Sequence, residues 1–167
     1  MSGALIVTAE LGAADFAWLD GERKRFFPPE RNQLAAHLTM FHALPPSCEE
    51  EARRELKKHA VGKAPRATVA GLMNLGRGVA YRIVSDELEA IRRDIAQHFH
   101  GLLTAQDGQG WRPHVTIMNK AEPKDAKRLL EALAANFEQR PLRIAGLGLH
   151  RYLGGPWERL LVTNFKG

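Results

Sequence analysis

His37-Leu38-Thr39-Met40 and His114-Val115-Thr116-Ile117 write one short phrase twice. Each is a histidine, an apolar residue, a threonine and a second apolar residue. On an extended strand successive side chains alternate between faces, so His and Thr point one way and the apolar pair the other. Each copy therefore presents an imidazole beside a hydroxyl above a hydrophobic anchor. Two such strands facing one another would surround a single small anionic group with two imidazoles and two hydroxyls.

The copies occupy matching places in a longer repeat. Ala4 to Leu11 reads as a strand about thirty residues before His37, and Val79 to Val84 as a strand about thirty before His114, the size of a β–helix–β unit. A helix lies between strand and motif each time. Asp15 is expected to cap the first, with Phe16, Leu19 and Phe26 on one side and Pro28-Pro29 ending it. Asp86 with Glu89 is expected to cap the second, over a stripe of Leu88, Ile91, Ile95 and Phe99. A further helix follows each motif. Ser47 with Glu50 reads as a capping box, and Pro123 opens the helix carrying Ala126, Leu129, Leu130, Leu133 and Phe137. Thr68 to Leu75 then turns through Gly76-Arg77-Gly78 into Val79, and Leu142 to Tyr152 through Gly154-Gly155-Pro156 into Trp157 to Phe165. The pattern is strand–helix–strand–helix–strand, twice. It predicts an α+β domain spanning residues 1–167 with an internal duplication, its halves roughly 1–75 and 76–167.

Composition narrows the class of protein. A chain of 167 residues suits one domain with a real core, and 44% hydrophobic content without a long apolar run argues for a globular protein rather than a membrane one. No basic-then-apolar leader opens the sequence, and Cys48 is the single cysteine, so a cytoplasmic protein without an internal disulfide is expected; a monomer is the expected state. The net charge of +5 leans toward anionic partners, nucleic acid among them.

The paired histidines suit phosphoryl chemistry. One can take a proton from an attacking water or hydroxyl while the other gives one to the leaving oxygen, since an ordinary imidazole titrates near pH 6.5. The threonine hydroxyls can donate to the non-bridging phosphate oxygens. Nothing in this scheme requires a metal or other cofactor, and a strained 2',3'-cyclic phosphate is an apt substrate. The seven histidines show no metal-ligand spacing: His42 is an odd number of positions from His37, which on a regular strand aims the two apart, and His98 and His100 diverge on a helix.

At this point the sequence resembles the 2H phosphoesterase superfamily, specifically its bacterial 2'-5' RNA ligase / RNA 2',3'-cyclic phosphodiesterase branch. The stretches Arg31 to His42 and Trp111 to Lys120 carry the resemblance, which spans nearly the whole chain. Arg31 to Ala36 is closer to a divergent bacterial subgroup than to typical RNA ligases. The resemblance implies two pseudo-symmetric lobes of antiparallel sheet, helices outside and a V-shaped cleft between them. It implies opening of 2',3'-cyclic phosphates to 2'-phosphates, with joining or cutting of 2'-5' RNA linkages in some members. Carried over by motif, the catalytic residues are His37, Thr39, His114 and Thr116, with His114 as the base and His37 as the acid by the family's usual division.

Around these, strand alternation proposes substrate contacts. Arg112 and Lys120 share the face of His114 and Thr116 and are candidates for phosphate. Phe41 shares the face of His37 and Thr39, suited to a base or ribose, or equally to core packing. Arg77 in its turn and the pair Arg151-Tyr152 are further candidates. The expected partner is RNA ending in a 2',3'-cyclic phosphate or carrying a 2'-5' linkage, or a small cyclic nucleotide. A module that binds RNA ends or nucleotides without turnover is the competing class.

Overall fold

The computed structural model describes residues 3–167. Its elements run β1 (Leu5–Leu11), α1 (Ala13–Phe26), β2 (Leu38–Leu44), α2 (Glu49–Ala60), β3 (Arg66–Asn74), β4 (Val79–Val84), α3 (Asp86–His98), α4 (Ala105–Gly108), β5 (His114–Met118), α5 (Pro123–Ala135), β6 (Arg140–Tyr152) and β7 (Trp157–Asn164). All strand pairings are antiparallel, in the order β2-β1-β6-β3-β4-β5, with β7 also paired to β6. The α+β class and the antiparallel sheet flanked by helices are as expected.

β6 joins the two lobes. Its first residues, Arg140 to Arg143, pair with β3, while Ile144 to Arg151 pair with β1 and Gly146 to Tyr152 with β7. Strands therefore cross between lobes. β3, from the first part of the chain, lies with β4 and β5, whereas β6 and β7 complete the sheet of β1 and β2.

β1 sits between β2 and β6, and its apolar run explains why: Leu5, Ile6, Val7 and Ala9 are all buried, on both faces. The helices pack α2 on β6 and β7, α1 on β5, α3 on β3, and α5 on β3 and β4. Leu19, Leu56, Leu88 and Ile95 supply their buried stripes, each such side chain contributing about 1.5–3 kcal/mol of apolar burial. Gly76 has φ +81°, the left-handed conformation that glycine adopts freely, and this closes the β3–β4 hairpin.

Three caps differ from the sequence expectation. Gly12, not Asp15, precedes α1; the Asp15 carboxylate instead accepts the Arg143 backbone N–H at 2.7 Å, tying α1 to β6. Ser85, not Asp86, caps α3, its hydroxyl accepting from the Leu88 N–H at 3.0 Å. Cys48 precedes α2 without a side-chain cap, because Pro46 to Cys48 form a short 3-10 turn that leads directly into the helix.

Candidate active site

The two motifs meet at a cavity of about 360 Å³ whose walls include His37, Thr39, His114 and Thr116. His37 lies just ahead of β2 and His114 is the first residue of β5. In β5 the alternation is clean: His114 and Thr116 are half-buried on the cleft side, while Val115 and Ile117 are fully buried beneath. Leu38 and Met40 anchor β2 in the same way.

Both imidazoles are held by the same device. His37 Nδ1 donates to the Ala35 carbonyl at 2.8 Å, and His114 Nδ1 donates to the Arg112 carbonyl at 2.7 Å. A carbonyl only accepts, so each Nδ1 must carry the hydrogen. Each Nε2 is thereby left to take or release a proton. The motif backbones are fixed too. Trp111 Nε1 donates to the Thr39 carbonyl at 3.0 Å, and the buried Arg23 of α1 donates to the Thr116 carbonyl at 3.1 Å. Asn32 Oδ1 accepts from Arg23 Nε and Nη2 at 3.2 and 3.0 Å, holding that guanidinium in place.

Burial lowers His37 to about 4, against an ordinary value of 6.5, and the nearby charges of Arg23, His150 and His114 push the same way; only the Ala35 carbonyl opposes. The unliganded site therefore holds His37 neutral at neutral pH.

Of the sequence-proposed substrate contacts, Arg112 lines the cavity. The others lie elsewhere. Phe41 is fully buried, under the Arg92 guanidinium at 4.5 Å, because β2 carries a bulge against β1: Val7 pairs with Phe41 and Thr8 with Thr39, leaving Met40 as the extra residue. The alternation inverts there, turning Phe41 into the core and His42 into the cleft, the reverse of the regular-strand reading. Lys120 lies beyond the end of β5 with φ +58°, exposed and off the cavity wall. Arg77 is exposed and donates to the Ala121 carbonyl at 2.9 Å. Arg151 is ion-paired with Glu49 at the start of α2 and with Glu158. Tyr152 pairs with Trp157 at the β6–β7 turn and is not part of the cavity wall.

Several cleft residues were not apparent in the sequence. Trp157 packs on His37 with ring centroids 4.7 Å apart and on His150 at 5.4 Å. Beyond it the cleft continues into a second compartment of about 600 Å³, bordered by Glu10, Phe16, Gln33, Leu34 and Arg159. Here His150 Nε2 donates to Thr8 Oγ1 at 2.9 Å, and that hydroxyl donates to Glu10 Oε2 at 2.6 Å. Gly148 makes the cluster possible, since a Cβ there would lie 2.6 Å from Glu10 Oε2 and 2.7 Å from Thr8 Oγ1. Burial would raise Glu10, but the His150 ring 3.8 Å away, the bond from Thr8 and the charge of Arg159 leave it lowered and ionised. On the other side, the buried Asp107 carboxylate bonds His42 and Ala43. Among the described residues no group of three or more histidine, cysteine or carboxylate side chains is placed to hold a metal ion.

The profile of the 2'-5' RNA ligase superfamily matches residues 12–156. The chain belongs to that superfamily, the 2H phosphoesterases. Solved structures share the superfamily's fold. TT0787 of Thermus thermophilus superposes with a TM-score of 0.67 at 16% identity, covering 98% of both chains. LigT of E. coli complexed with 3'-AMP gives 0.60 at 16% identity over 100% of both chains. The same protein complexed with NADP+ gives 0.55 at 17% identity, again over 100% of both chains. No curated protein matches the sequence significantly. No helix of this superfamily member is long and apolar enough to cross a membrane among the described residues.

Proposed function

We propose that the protein is a metal-independent phosphodiesterase that opens 2',3'-cyclic phosphates, on RNA ends or nucleotides, to 2'-phosphates. The observation that carries this reading is the pair of imidazoles, each with its tautomer set by a backbone carbonyl and each beside a threonine, on one cavity of a 2H phosphoesterase. That the LigT structures contain 3'-AMP, NADP+ and ATP supports a nucleotide as the substrate class.

The reaction is an in-line displacement at phosphorus. Water attacks, one Nε2 takes its proton, and the bond from phosphorus to O3' breaks as the other imidazole protonates that oxygen. Thr39 and Thr116 donate to the non-bridging oxygens, where charge accumulates. By the superfamily's division His114 is the base and His37 the acid. An acid must be protonated, and burial opposes that in the free site. The bound phosphate anion supplies the missing countercharge, so substrate binding brings a proton onto His37.

A cyclic mononucleotide assayed in EDTA tests the reading. Wild type should yield the 2'-phosphate, with kcat lowered about 10²- to 10⁴-fold in His37→Ala and in His114→Ala. Well-folded wild type that binds nucleotide without turnover would point instead to a binding module.

A further inference from the structure

The two sides of the cleft differ in chemistry, and the side carrying the four motif residues holds a third histidine. Asp107, with its side chain fully buried, accepts the His42 N–H at 2.8 Å and the Ala43 N–H at 2.9 Å. It also accepts from His42 Nδ1 at 3.1 Å. Burial would raise this carboxyl, but those bonds hold it below its ordinary value and ionised. An ionised carboxylate only accepts, so His42 Nδ1 carries the hydrogen and the ring is fixed by Asp107. The side chain stays 42% exposed on the cavity shared with His37, Thr39, His114 and Thr116.

The surroundings suit a second anion. Among the described residues lining this cavity Asp107 is the one carboxylate, and its oxygens already serve His42 and Ala43. Arg92 lies behind, donating to the Asp107 carbonyl at 2.7 Å and the Met40 carbonyl at 3.0 Å, and Arg112 stands on the same wall. The compartment beyond Trp157 differs: its Glu10 carboxylate is paired with Arg159 at 3.3 Å, and Phe16 and Leu34 give it apolar walls. A polyanionic strand gains no net attraction on the Glu10 side, where Arg159 offsets the carboxylate, and is attracted by Arg92 and Arg112 on the His42 side. His42 stands three residues beyond Thr39, across the β2 bulge and on the same cavity wall.

We infer that His42, held through Nδ1 by Asp107 and carrying a second hydrogen on Nε2 as the imidazolium, donates from Nε2 to the phosphodiester next to the reacting phosphate with help from Arg112, which makes the preferred substrate an oligonucleotide end rather than a mononucleotide. This rests on the phosphodiesterase reading. His42 takes no part in the proton transfers; it positions the strand.

The test compares a dinucleotide and a mononucleotide, both ending in a 2',3'-cyclic phosphate, by kcat/KM. It also compares the corresponding 2'-phosphate products by Kd, so that affinity is measured whether or not turnover occurs. Wild type should favour the dinucleotide about tenfold in each, through KM rather than kcat. His42→Ala should bring both ratios to about one, while His100→Ala, an exposed histidine beyond α3, should keep the wild-type ratios. The Asp107 bonds to the backbone of His42 and Ala43 remain available in His42→Ala, so the β2 bulge keeps its support. Equal wild-type affinity for the two products, or a preference that survives His42→Ala, would overturn the inference. Absence of turnover with an intact dinucleotide preference in Kd would instead count against the phosphodiesterase reading alone.

Discussion

Burial makes the His37 imidazolium costly, and this should be visible in both stability and binding. The folded value of about 4 lies below the ordinary 6.5, so between these the unfolded chain takes up a proton that the folded site refuses. Stability should fall as pH drops from about 6.5 to about 4 and then lose nothing further through this group. His37→Gln should flatten that limb in urea titrations across the window; an unchanged slope would contradict the burial argument. Phosphate binding has the opposite sign, because the anion favours the charged ring. Calorimetry at about pH 5.5, between the folded and ordinary values, in buffers of different ionisation enthalpy should show net proton uptake on binding phosphate, reduced in His37→Gln. The threonines act differently, as donors to charge that grows in the transition state. Thr116→Val should lower kcat about 10²-fold with little change in KM. A rise in KM alone would assign Thr116 to ground-state binding.

At the scale of elements, the bulge in β2 decides which histidines share the cleft. Strand alternation read from the sequence is sound for β5 from His114 to Thr116, where the pairing with β4 is regular, and a bulge then leaves Ile117 as the extra residue with Ile117 and Met118 both buried. It was sound for β2 only up to Met40, since a bulge depends on the pairing with β1, which the β2 sequence by itself does not specify. Phe41 and His42 consequently exchanged faces. The caps were misplaced for a related reason: Asp15, Ser47 and Asp86 are all reasonable capping residues, but neighbouring backbone and tertiary partners took the role or the carboxylate. Asp107 was invisible because its partners lie more than sixty residues away on β2, and nothing local marks α4 as the support of the cleft wall. Asp107→Asn should cost about 2–4 kcal/mol in urea unfolding, because one acceptor becomes a donor facing backbone N–H groups. A loss below about 0.5 kcal/mol would show that the contact between α4 and β2 does not support the fold.

Across the whole molecule, the repeated motif was legible because both histidines, both threonines and their apolar anchors sit within eight residues of sequence in total. The route of the chain between lobes was not. β6 reads as one strand of a hairpin, yet its 13 residues serve three partner strands, and only long-range pairing places β3 with β4 and β5, and β7 with β1 and β2. That crossing has a consequence for the site: β1, β6 and β7 bring Glu10, His150 and Trp157 together from opposite ends of the chain beside His37. The net charge of +5 leans toward an anionic partner without giving its direction of approach, which the inference above places on the side of His42, Arg92 and Arg112. The central claim is that His37 and His114 move the protons of the displacement at phosphorus, from water and to O3', and phosphorus NMR tests it most directly. A short RNA ending in a 2',3'-cyclic phosphate, incubated in EDTA, should lose its cyclic-phosphate resonance and gain that of a 2'-phosphate with wild type. Neither change should occur with His37→Ala combined with His114→Ala. Persistence of the cyclic phosphate with wild type, or equal conversion by the double variant, would contradict the account.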